Sequence, residues 1–168
     1  MTVEHVQHTL PGAPTGNDPG EVSDDLSQKV QNLPKVVAHF LDHRLLKGFG
    51  LGFRLPQLIF LLRPREAVNP EAATRVGLTD LKALFFVKEF DGNPAYREVA
   101  GAARPSVLGH QVSVRFRDGE LLHGTSPSRD LRGPGFFMVP MDPRSNNRRI
   151  YVIAANAAKY RFQNEKEP

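Results

Sequence analysis

One pattern occurs twice in this chain. Val36, Phe40, Asp42, Leu45, Leu46 and Gly48 return as Val112, Phe116, Asp118, Leu121, Leu122 and Gly124, six identities at a constant offset of 76 residues. An internal repeat constrains architecture strongly, because each copy must be a similar supersecondary unit. The unit reads as strand, tight turn and strand, with Asp118-Gly119 a hairpin signal. The apolar run from Leu58 that stops at Pro64 then matches the run from Gly135 that stops at Pro140. Val76 to Leu78 and Ala83 fall against Ile150 to Val152 and Ala157, at an offset of 74, as a changed loop length would give.

Several short strands with turn signals between them point to a small barrel or sandwich. The expected fold is all-β: two tandem SH3-like or Sm-like small β-barrels or half-barrels with an extended N-terminal tail. The expected boundaries are a Pro/Gly-rich tail over 1–33, a first β repeat over 34–90, a linker over 91–109, a second β repeat over 110–163 and a polar tail over 164–168. Ser23 or Asp24 could cap a short helix within the first tail.

The two units differ in what their strands face. Val112, Val114 and Phe116 alternate with polar residues, the pattern of a strand with one wet face. Leu58 to Leu62 and Ala83 to Val87 are apolar throughout, so both of their faces should be covered. Either the second unit covers the first, or a partner does. Phe49, Leu51, Phe53 and Leu58 are the candidate protein-interface residues.

Cysteine is absent from the chain, which excludes disulfides, thiolate metal sites and a cysteine nucleophile. No apolar stretch reaches the length of a membrane span, and the first residues do not read as a signal peptide, so a cytoplasmic protein is expected. Fourteen Gly and fourteen Pro in 168 residues favour strands and loops over long helices.

The formal net charge is +4, unevenly placed. Glu4, Glu21, Asp24 and Asp25 make the N-terminal tail acidic, while arginines concentrate in the second unit. Arg115 and Arg117 lie on the wet face of their strand, and Arg144 and Arg148 flank a five-residue turn followed by Arg149. Paired arginines can hold a phosphate or carboxylate between them. These five are the candidate anion- or partner-binding residues. A solubilising surface and an Asn-rich connecting loop are the plainer readings.

His39 and His43 are four apart on a strand-and-turn pattern, where such a pair should not converge. Gly48, Gly50 and Gly52 lack the spacing and following helix of a phosphate loop and suggest a bent strand. Neither a Ser/His/Asp set nor a carboxylate pair stands out, so an enzyme is not expected, nor any cofactor or metal.

The blocks Leu81 to Pro94, Phe116 to Glu120, and Gly135 to Phe137 with Pro140, Asp142, Ser145 to Asn147, Arg149 and Ile150 resemble an uncharacterised bacterial family. Its members are small free-standing proteins or lie near PilZ-type domains. The resemblance covers residues 35–162 and implies a β fold with no assigned activity. PilZ domains bind cyclic di-GMP through an Arg-x-x-x-Arg arm and a second motif. Arg144 and Arg148 match the first spacing, and the second motif is absent.

The expected function is a non-enzymatic binding or scaffold protein. It would be an accessory cytoplasmic subunit docking on a larger protein assembly, such as pilus, secretion or photosynthetic machinery, with the N-terminal tail as an interaction arm. The alternative is a regulatory module binding a nucleotide, cyclic di-GMP-like, or nucleic acid through its arginines.

Overall fold

The computed structural model describes residues 30, 32–69, 71–93, 95–96, 109–129 and 132–163. The expected N-terminal helix, most of the tail, most of the linker and the C-terminal tail lie outside the described residues. The fold is all-β. Its strands are β1 (Lys35–Phe40), β2 (Leu45–Arg54), β3 (Ile59–Pro64), β4 (Thr74–Gly77), β5 (Leu81–Val87), β6 (His110–Phe116), β7 (Leu121–Ser126), β8 (Gly135–Pro140), β9 (Asn147–Ile153) and β10 (Ala157–Phe162).

All ten strands form one open antiparallel sheet in the order β10-β6-β7-β8-β9-β5-β1-β2-β3-β4. Hydrogen bonding between β5 and β9 joins the two halves, with Ala83 opposite Val152 and Phe85 opposite Ile150.

The first five strands run β5-β1-β2-β3-β4 and the last five β10-β6-β7-β8-β9. Pairings in the two halves differ by the same 76 residues throughout. Val36 faces Gly48 as Val112 faces Gly124, and Gly48 faces Pro64 as Gly124 faces Pro140. Phe60 faces Val76 as Phe136 faces Val152, and Phe40 faces Leu81 as Phe116 faces Ala157. A 3-10 turn precedes the last strand of each half, at Leu78–Asp80 and Ala154–Asn156. The offset of 74 expected for the fourth and fifth strands is therefore corrected to 76. A two-residue slip leaves the inside–outside alternation of a strand unchanged, so hydrophobic pattern alone cannot detect it.

The sheet encloses two cores, one against each side of its middle strands. The first gathers Val36, Phe60, Leu62, Leu84, Phe86 and Tyr151 among others. The second gathers Ala83, Phe85, Val114, Phe116, Met138 and Ile150 among others. Every residue of β5 is buried, as the unbroken apolar run from Ala83 to Val87 requires of those five. β3 differs from expectation: Phe60 and Leu62 are buried, but Ile59 and Leu61 only half-buried. β3 is the second strand from the sheet edge, with only the four-residue strand β4 beyond it.

The hairpin turns are built alike. Asp42 accepts the backbone N–H of Arg44, and Asp118 accepts that of Glu120. His43 and Gly119 supply the left-handed residue at φ 69° and 89°. The register of β2 with β3 slips between Gly50 and Gly52. Among the described residues no helix is long and apolar enough to cross a membrane.

Candidate functional site

Alternation along β6 buries Val112, Val114 and Phe116 and leaves Arg115 exposed, with Arg117 exposed in the turn beyond. β10 then sets Lys159 directly opposite Arg115, and Arg161 opposite Ser113. Like charges placed opposite one another in adjacent strands weaken a sheet. No carboxylate of the described residues pairs with Arg115, Lys159 or Arg161. The face is cationic, exposed at Arg115, Lys159 and Arg161, and formed by three strands, since Arg115 and Ser113 continue across to Leu121 and His123 of β7.

Its counterpart in the first half is covered. Lys159, Arg161 and Arg115 stand 76 residues beyond Ala83, Phe85 and His39. Ala83 and Phe85 are buried in the second core, and His39 stacks on Phe85 with ring centroids 4.2 Å apart. Burial holds the His39 pKa below its ordinary value.

The Arg144–Arg148 pair does not close on a shared space. Arg144 is engaged by Asp142, through its Nε at 3.2 Å and an Nη at 3.0 Å. Asp142 is buried and also accepts the Arg144 backbone N–H and the Tyr96 hydroxyl. These bonds, the Arg144 guanidinium foremost, bring its carboxyl pKa down to about 2.

Arg148 and Arg149 belong to a different place. Between the pairs Phe86–Arg149 and Val87–Asn147, β9 carries one residue more than β5, Arg148. Such a bulge re-aims side chains. Both arginines line a cleft of about 770 Å³ with Lys35, Lys88 and Glu89, between apolar walls that include Leu33, Pro34, Phe86, Val87 and Val139. The Arg149 guanidinium lies over two rings, its Cζ 4.4 Å from the Phe86 centroid and 4.9 Å from that of Phe137. Lys35 pairs with Glu89 at 2.6 Å, and Lys88 donates to the Pro143 carbonyl at 2.9 Å.

The four apolar candidates divide. Phe53 packs against the first core beside Phe60, Phe137 and Tyr151. Phe49 is half-buried, edge-on to Phe90 at 5.4 Å. Leu51, in β2, and Leu58, in the β2–β3 connection beside Leu55, are exposed, as is Leu55.

An ion cluster built on a buried lysine joins the halves. Lys82 is the extra residue of β5 between the pairs Phe40–Leu81 and His39–Ala83. Its ammonium meets Asp118 at 2.5 Å and also Glu120, both from the β6–β7 turn, and lies 4.5 Å from the centroid of the Phe116 ring. Among the described residues no group of three or more His, Asp or Glu could hold a metal.

Lys35 and Lys88 were not singled out by the sequence. They lie 53 residues apart, and only the β1–β5 register brings them together. Lys159 and Arg161 were visible as part of the basic concentration, but their alignment with Arg115 needed the β6–β10 register.

Residues 33–162 match the family of unknown function DUF6982, and the chain belongs to that family. No curated protein and no solved structure matches it.

Proposed function

We propose that this protein is a non-enzymatic binding and scaffold subunit, built from two tandem SH3-like units, that docks on an acidic surface of a larger protein assembly. The tandem reading is supported by the shared strand order, the constant 76-residue register and the 3-10 turn before each last strand. The docking reading rests on one observation. The sheet face that the first half buries against the second recurs in the second half with exposed Lys159, Arg161 and Arg115 at the same positions, without carboxylate partners among the described residues. A partner that supplies carboxylates relieves the repulsion the chain has built in. Exposed Leu51, Leu55 and Leu58 offer an apolar contact, and the acidic N-terminal tail acts as an arm.

The test is native purification at about 50 mM salt, where surface charges are weakly screened, with mass spectrometry of what co-elutes. The partner is then challenged with the R115E/K159E/R161E variant. Loss of a stoichiometric partner from a normally folded variant, and its release at high salt, is the expected result. Unchanged partner recovery by the variant overturns the reading.

A further inference from the structure

We infer that the cleft between the start of β1 and the paired ends of β5 and β9 is a binding site for a phosphorylated small molecule with an apolar or aromatic body. The inference is independent of the docking reading, which concerns a different face. The cleft's volume of about 770 Å³ falls in the range of small-molecule sites. Among the described residues four cations line it, Lys35, Lys88, Arg148 and Arg149, against one carboxylate, Glu89. Glu89 is taken up by Lys35, which leaves an excess of three positive charges. That excess matches a di- or trianionic phosphate better than a single carboxylate.

Arg149 is the anchor. Its guanidinium rests on Phe86 and Phe137 and has no carboxylate partner among the described residues. The rings fix the plane of the group while its edge N–H donors stay available for two oxygens of a ligand. Arg148 is placed beside it by the extra residue in β9 and has no described partner of its own. Leu33, Pro34, Val87 and Val139 supply the apolar surface against which a flat body can lie.

Calorimetry of the full chain at about 50 mM salt, with ADP, pyrophosphate and adenosine as three separate probes, tests this. ADP should bind, pyrophosphate more weakly, and adenosine weakest. Arg149→Gln and Arg148→Gln should each weaken ADP about 10- to 100-fold, the size of a lost charge-assisted hydrogen bond. Arg149→Lys, which keeps the charge but not the fork, should show much of the same loss. R115E/K159E/R161E should bind ADP as the parent does, so failure here and failure of the docking reading are separable. Arg148 is exposed, so its variant stays informative if removing Arg149 disturbs the rings. Absence of heat with both ADP and pyrophosphate at about 1 mM overturns the site. Retained ADP affinity in Arg148→Gln together with Arg149→Lys also overturns it. Equal affinity for pyrophosphate and ADP overturns the apolar-body requirement.

Discussion

Gly48 and Gly124 meet the same obstacle: a Cβ at Gly48 would strike the carbonyl oxygen of Arg63, and a Cβ at Gly124 that of Val139. Each glycine lets the second strand of its half approach the third closely, opposite Pro64 and Pro140. The obstacle is backbone, so no side chain can swing away. Gly48→Ala and Gly124→Ala should each destabilise by about 2 kcal/mol or more, in the manner of overpacking. Gly119→Ala has open space around it and should cost only the strain of its positive φ, about 1 kcal/mol. Chemical denaturation of the three variants gives the ranking. Parity among them would contradict the close-approach account.

Phe40 and Phe116 occupy matching positions but unequal surroundings. Phe116 is 1% exposed, whereas Phe40 is half-buried with the Arg44 guanidinium 4.6 Å above its ring. Phe116→Ala should cost about 3–5 kcal/mol, and Phe40→Ala about half that. Urea midpoints at constant m decide it.

Lys82 predicts an asymmetry between its own removal and that of its partners. Lys82→Met releases Asp118 and Glu120 toward solvent, which they already reach, and should change stability by less than about 1 kcal/mol. The double change D118N/E120Q leaves a buried ammonium without a carboxylate and should cost about 2 kcal/mol or more. Restoration by adding Lys82→Met to the double variant would tie the cost to the stranded charge.

Asp142 makes stability depend on acid in a defined window. Its folded pKa, about 2, lies below the value near 3.9 of an unfolded chain. The stabilisation is therefore complete above the unfolded value and is lost as pH falls toward 2. Melting temperature should drop more steeply between pH about 4 and 2 in the parent than in Asp142→Asn. Parallel curves would show that the carboxylate is not the group responsible.

The sequence was most legible where periodicity decides burial. The unbroken apolar run from Ala83 to Val87 called for cover on both faces, and the alternation in β6 placed Arg115 outside. The β1–β2 and β6–β7 hairpins could be read from glycine and aspartate at fixed spacing. Pairing between distant segments could not. Nothing in Ala83 to Val87 names Asn147 to Ile153 as its neighbour, so the single ten-stranded sheet came from the structure. The engagement of Arg144 is local, by Asp142 two residues before it, yet spacing alone does not say which group takes the guanidinium. The cleft was unreadable because Lys35, Phe86 and Arg149 meet only once three strands are in register.

β5 gives Leu84 and Phe86 to one core and Ala83 and Phe85 to the other. Neither half can then melt without opening a wall of its neighbour, so the chain should unfold in a single cooperative step. Separating it between residues 91 and 109 would yield two pieces, each with a raw apolar face, that are complements of one another rather than portable modules. Folding bears the mark of the same strand. Ala83 must wait for Val152 to emerge and find it, and the interval of chain between them makes that closure a slow, late event.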